Sequence, residues 1–349
     1  GRAPWACRRI RPDMGAGRRI LIAGAGSVGC YAGGCLALAG RPVTLLGRLP
    51  LMTRLAGAGL RVSDLDGRDR VAPAGPGLRL DTDPAQAMAD AGLILVTVKC
   101  ADTAAMADLI ADHAPPDALV ISCQNGIGNA DILAARLGAH RVLAGMVPFN
   151  IVQMPDGRFH RGTSGRVMIQ AGQPGVRPEL DVPGLPVDES TDMDAVLWGK
   201  LLINLNNALN ALCGLPLARE LGSRPWRVLL ARQQWEGLRA LKRAGIKPAA
   251  FSTVPPRLLP WILCLPDALF RVLARRMLAI DPLARSSMWE DLDRRRPTEI
   301  GRLQGAVIEL AERQGLDAPV NRRVHDLIQA AEAAGQGSPG LSAAAVWGG

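Results

Sequence analysis

From Arg19 to about Val187, short β-branched runs alternate with Ala/Leu-rich stretches of helical period. The runs Ile20–Ala23, Val43–Leu46, Leu93–Val98 and Leu119–Cys123 are almost wholly apolar. Such continuity, without polar alternation, predicts parallel strands covered on both faces. Between them, Val28–Ala39, Pro84–Ala91, Ala101–His113 and Asn129–Leu137 predict helices. This is the βαβ rhythm of a doubly wound sheet. Met146–Val152, a turn at Pro155-Asp156-Gly157, Phe159–Arg161 and Arg166–Gln170 predict antiparallel additions at its edge.

After a Pro/Gly-rich stretch (172–186) the period becomes helical almost throughout: 195–213, 224–244, 266–280, 282–295, 298–314 and 320–333. A length of 349 residues exceeds one ordinary core, so two domains are expected. The boundary falls near residue 190. Residues 19–190 form the α/β half, 191–333 an all-α half, 334–349 a loose tail and 1–18 an extension. Met14 is the expected natural start, with upstream read-through before it. The segment 251–280, rich in Pro turns and carrying Trp261, is expected to cap the cleft between the halves.

Charge and composition narrow the class. The net charge is +9 with a pI near 9.8, yet the arginines are scattered. The clusters Arg8-Arg9-Ile10-Arg11 and Arg294-Arg295-Arg296 are short and have no aromatic residues interleaved for stacking. That argues against nucleic acid and for a field attracting a phosphorylated cofactor and an acidic substrate. The seven cysteines form no CxxC pair, which reads as reduced thiols in a cytoplasmic protein. The four histidines stand apart, so no metal site is expected. The longest apolar stretch, Leu258–Leu273, is broken by Pro260, Pro266, Asp267 and Arg271, which excludes a membrane helix there.

The first strand runs into Gly24-Ala25-Gly26-Ser27-Val28-Gly29 and then an Ala/Leu helix. In that setting the first glycine permits a tight turn, the second a close approach of backbone to pyrophosphate, and the third packing of helix on strand. The helix N-terminus offers N–H groups to the anion. The N-terminal half is therefore expected to be a Rossmann-type dinucleotide domain. An NAD enzyme would carry Asp or Glu at the end of the second strand, but here that strand reads into Gly47-Arg48. A missing acid beside an arginine suits the 2′-phosphate of NADPH.

Only four of the 41 basic residues are lysines. One, Lys99, closes the Leu93–Val98 run. Another, Lys200, shares a helix face with Asn204 and Asn207 at i, i+4 and i+7. Polar groups aligned in an apolar helix are costly unless they face a cleft or one another. One reading is a satisfied buried cluster. The other is catalytic: a ketone oxygen receiving hydride needs a proton, and a buried lysine of lowered pKa can supply it.

Further along stand Ser286-Ser287-Met288 and Arg296-Pro297-Thr298-Glu299-Ile300. With the glycine loop, Thr97-Val98-Lys99, Gln124-Asn125-Gly126-Ile127-Gly128 and Trp198-Gly199-Lys200-Leu201-Leu202-Ile203-Asn204, they make a distinctive set. Over about residues 18–330 the sequence resembles the 2-dehydropantoate 2-reductase (ketopantoate reductase) family. The resemblance implies an NADPH-dependent reductase of pantothenate synthesis, with the active site between a nucleotide domain and a helical domain. It implies Lys200 as proton donor, Glu299 as a carboxylate touching cofactor and orienting substrate, and Ser287 and Asn204 as substrate ligands. It places Lys99 and Asn125 near the nicotinamide ribose. There are departures: some members carry asparagine eight residues after the lysine and about ten further on, where this chain has Ala208 and Ala218. Asn207 lies closer to the Lys200 face and is the expected substitute for the first. A reductase of another 2-oxo acid, or a non-catalytic NADPH sensor, stays open, as does a homodimer.

Overall fold

The computed structural model describes residues 17–251, 254–273 and 284–348. In the N-terminal half, β1 (Arg19–Ala23) leads into α1 (Ser27–Leu38), β2 (Val43–Leu46) and α2 (Leu49–Ala58). Then come β3 (Leu60–Asp64), β4 (Asp69–Ala72), β5 (Leu78–Asp81), α3 (Pro84–Met88) and β6 (Ala91–Val96). The half continues through α4 (Thr103–His113), β7 (Leu119–Ser122), α5 (Asn129–Leu137) and β8 (Val142–Met146). Strands β5-β2-β1-β6-β7-β8, in that spatial order, are all parallel. Ile20, Leu21, Ile22 and Ala23 are fully buried, as expected of a strand with helices on both faces. The order reverses at β1, so a crevice opens beyond the carboxyl ends of β1 and β6, the usual ligand position in such sheets.

The expected edge additions are only partly correct. β9 (Ile151–Gln153) and β10 (Phe159–Arg161) pair antiparallel, but they do not extend the main sheet. β10 runs parallel to β3, which pairs with β4, giving a second sheet of order β4-β3-β10-β9. The cause is burial. Phe159, Val62 and Leu60 share one core with α1. Gly34 of that helix lets the sheet in, since a Cβ there would meet Val62 Cγ1 at 2.6 Å. Only β11 (Val167–Gln170) joins the main edge, antiparallel to β8, and after α6 (Val176–Leu180) comes β12 (Val187–Ser190), parallel to β11.

Helices follow from Met193: α7 (Met193–Asn204), α8 (Asn206–Cys213), α9 (Leu217–Gly222), α10 (Arg224–Arg243), α11 (Leu259–Leu263) and α12 (Asp267–Leu273). The rest are α13 (Ser287–Asp293), α14 (Gln304–Arg313), α15 (Pro319–Ala334) and α16 (Ala343–Trp347). Three expected helices differ. The 195–213 helix is interrupted at Leu205, where the buried amide of Gln304 donates to the Leu205 carbonyl at 2.9 Å. A side chain inserted into the ladder is an ordinary cause of such breaks. The 282–295 helix begins only at Ser287, where Ser286 Oγ accepts from Trp289 N–H at 3.1 Å as N-cap. The 298–314 helix starts as a 3₁₀ turn (Ile300–Arg302) before α14, leaving Glu299 just ahead of it. Of the expected 266–280 helix, residues 274–280 lie outside the described residues.

The segment expected as a cap packs on α10. Fully buried Arg227 donates to the carbonyls of Leu263 (3.0 Å) and Leu265 (2.8 Å) and pairs with Asp267 at 2.8 Å. The expected loose tail also departs: Leu341 N–H donates to Leu212 O at 2.9 Å, and Val346 is buried in the helical core.

Candidate active site

The glycine loop sits where β1 ends. Gly24 has φ +118°, a conformation L side chains rarely adopt, and a Cβ there would meet Val98 N at 2.7 Å. A Cβ on Gly29 would meet Thr97 Oγ1 at 2.6 Å and Ile22 Cγ2 at 2.8 Å. Thr97 Oγ donates to Gly24 O at 2.7 Å, pinning the loop to the end of β6. Gly26 differs, because nothing lies within 4 Å of its would-be Cβ. It is also the N-cap of α1, so no side chain covers the amides of Ser27, Val28 and Gly29. Open backbone at a helix N-terminus is an anion cradle. Arg48 is exposed at the end of β2, where it precedes α2. On the neighbouring strand Asp81 pairs in register with Leu46, and its carboxylate accepts from Asp83 N–H at 2.9 Å.

Between the two halves lies a narrow pocket. Five of the expected site residues line it: Asn125, Asn204, Asn207, Ser287 and Glu299. Asn207 faces this space while Ala208 is fully buried in the helical core, so the asparagine one position early is the one that reaches the site. Asn125 comes from the loop after β7. There Gly126 (φ +82°) leaves room for Arg302, whose Cβ would lie 2.7 Å from an added Cβ.

Lys200 stands apart from that lining. It lies one turn before Asn204 on α7, about 6 Å along the axis. Its Nζ donates to the Pro148 carbonyl at 2.8 Å, on the loop leaving β8. An ammonium has three N–H donors, so two remain for a ligand. Burial lowers its pKa from 10.5 to about 8, because desolvation penalises the charged form. Glu299 is held elsewhere: Oε1 accepts from the Cys100 thiol at 3.1 Å and Oε2 from Asn125 Nδ2 at 3.4 Å. Burial, then the charge of Glu299, pushes the Cys100 thiol well up, so it stays a protonated donor. Lys99 Nζ pairs with Asp291 at 2.7 Å, tying the β6 end to α13.

Five contributors escaped the sequence reading. Cys100 and the Pro148 carbonyl had no local signal. Met288 and Leu303 supply apolar wall. Asp291, buried and also paired with Arg296 at 3.1 Å, had one: it lies four residues after Ser287, the same spacing that joined Lys200 to Asn204.

The fold and seam define a two-domain class, a doubly wound α/β half joined to a helical half, and comparison with known proteins gives its family. The family model described as ketopantoate reductase PanE/ApbA matches residues 20–174, and its C-terminal partner matches residues 192–332. A 2-dehydropantoate 2-reductase of Halobacterium salinarum is 30% identical over 90% of this chain and 99% of its own. One of Archaeoglobus fulgidus is 29% identical over 90% and 98%. The crystal structure of a PanE/ApbA family ketopantoate reductase from Ralstonia eutropha superposes with a TM-score of 0.77 at 28% identity, covering 91% of this chain and 99% of that one. D-mandelate dehydrogenase with NADH and anilino(oxo)acetate shares the fold, with a TM-score of 0.74 at 20% identity. The chain belongs to the ketopantoate reductase family.

Proposed function

We propose that the protein reduces 2-dehydropantoate to pantoate with NADPH. The observation that carries this reading is the seam itself. Asn204, Asn207 and Ser287 share one pocket with Glu299 and Asn125, and α7 carries a lysine of lowered pKa one turn away.

The loop Gly24–Gly29 fits a pyrophosphate, with Arg48 on a 2′-phosphate and Lys99 and Asn125 toward the nicotinamide ribose. The reduced nicotinamide supplies the hydride that reaches the keto carbon. The chain's own groups do the rest. Ser287, Asn204 and Asn207 hold the carboxylate and hydroxyl of the keto acid by neutral hydrogen bonds. Glu299, held by Cys100 and Asn125, orients the substrate. As the keto oxygen gains negative charge, Lys200 stabilises it and transfers a proton. The Pro148 carbonyl fixes the ammonium without neutralising it, since a carbonyl accepts a hydrogen bond but carries no full charge.

One observation favours a second reading, a reductase of another 2-oxo acid. Asn207 takes the place of the first asparagine that some members carry, but Ala218 stands where the second is expected, so one polar group implied by the resemblance is missing. Steady-state kinetics on a panel of 2-oxo acids separates the two. With 2-dehydropantoate the best substrate the first stands, and with it among the poorest the second replaces it. Cofactor binding without oxidation by any 2-oxo acid removes both and leaves a sensor.

A further inference from the structure

Behind the pocket runs a buried polar chain that the proposed reaction does not use. Glu220 of α9 is fully buried, and its Oε2 accepts from Asn210 Nδ2 at 2.6 Å. Asn210, also fully buried, donates from the same amide nitrogen to Leu215 O at 2.9 Å. Its Oδ1 accepts from Ser286 N–H at 2.8 Å. Ser286 Oγ then donates to Asn207 O at 2.9 Å and caps α13. The chain thus ends on two pocket residues, Asn207 by its carbonyl and Ser287 as the next residue after Ser286.

Such a network is expensive to bury. A carboxyl with no basic partner among the described residues needs every hydrogen bond it can make. Glu220 Oε1 and Asn206 Oδ1 are both without a donor, and the Asn206 side chain lies within hydrogen-bonding reach of that carboxyl. The amides of Asn210 and Asn206 favour the ionised carboxyl, but burial is the larger effect and favours the protonated form. Apolar residues would fill the same core without this cost, so the polar chain is kept for what it aligns.

We infer that Asn210 and Glu220 are positioning residues of the substrate site: the buried carboxyl fixes the Asn210 amide, which fixes Ser286 and so the placement of Ser287 against Asn207. The role in substrate binding rests on the reading of the pocket as a 2-oxo acid site. The alignment of Ser286 does not.

The test separates the two. Asn210→Leu leaves Ser286 N–H without its acceptor. It is expected to raise KM for the best 2-oxo acid about tenfold, with kcat and cofactor Kd changing less than about twofold. Glu220→Leu is expected to follow it. Glu220→Gln keeps an acceptor for Asn210 in a side chain of nearly the same shape, so it is expected to stay near wild type. A purely structural role would move melting temperature and leave the KM-against-kcat split and the glutamine rescue unseen. Should Asn210→Leu fail to fold, Asn210→Ser carries the same expectation. Hydrogen exchange at the 285–289 amides reads the alignment without any substrate and is expected to quicken about tenfold in the position-210 variants. Unchanged exchange, or a KM within twofold of wild type, overturns the inference. Wild-type protein that turns over no 2-oxo acid overturns the reading of the pocket instead, and exchange still decides the alignment.

Discussion

Lys200 is the residue on which the proposed chemistry is most exposed to test. Its pKa of about 8, lowered from 10.5 by burial, represents roughly 3 kcal/mol of penalty on the charged form. About nine-tenths of the molecules then carry the ammonium at pH 7 and about one-tenth at pH 9. Reduction consumes that proton, so kcat/KM for the 2-oxo acid should fall about tenfold per pH unit above a break near 8. The reverse reaction needs the neutral amine, and its rate should rise through the same break. Lys200→Arg keeps a positive charge that cannot be released. It should lower kcat by about 10² or more and abolish the alkaline break, while leaving cofactor affinity little changed. The assay is cofactor oxidation followed by absorbance across about pH 6 to 10. A wild-type profile flat between about pH 7 and 9, or an arginine variant that keeps the same break, would refute the assignment.

Other expectations follow from the same geometry. Gly29→Ala drives a methyl into Thr97 and Ile22 and should cost about 1–3 kcal/mol, read as a lower melting temperature. Gly26→Ala meets nothing and should fold normally, yet weaken cofactor binding about tenfold or more by titration, because its methyl occupies the anion's approach. Equal affinity in Gly26→Ala and wild type would contradict the cradle. Arg48→Ala should reduce the preference for NADPH over NADH by at least about tenfold in kcat/KM, through loss of a charge-assisted contact. An unchanged ratio places the 2′-phosphate elsewhere. Burial raises the Glu220 pKa from 4.5 to about 8, so between those values the unfolded chain releases a proton that the folded chain keeps. Wild-type stability should therefore decline as pH rises from about 5 to 8. Glu220→Gln should remove that slope, a relative gain of about 3 kcal/mol at pH 7 by denaturant titration. Parallel pH profiles for the two proteins would show that the carboxyl does not stay protonated on folding.

What could be read from the sequence divides along physical lines. Four of the six parallel strands were legible because a strand buried on both faces is apolar along its length, a property of four to six consecutive residues. β8 reads as an antiparallel run starting at Met146, and β5, an edge strand carrying Arg79 and Asp81, gives no such signal. The second sheet was not legible. Phe159–Arg161 reads as a strand, but its partner Leu60–Asp64 lies about a hundred residues earlier, and only the shared core against α1 selects that pairing. The break at Leu205 is equally remote in origin, because the amide that takes its carbonyl belongs to Gln304. At the site, the i, i+4 rule found Asn204 from Lys200 and would have found Asp291 from Ser287 had it been applied to both helices. Packing, not spacing, decided between Asn207 and Ala208. The least legible part is how the seam closes. Lys99 meets Asp291, Asn125 meets Glu299 and Lys200 meets the Pro148 carbonyl, each across more than 50 positions of sequence. Lys200 and Glu299 thus lie on one seam with separate partners, and a substrate whose keto oxygen meets the ammonium must supply the link that the two side chains do not make directly.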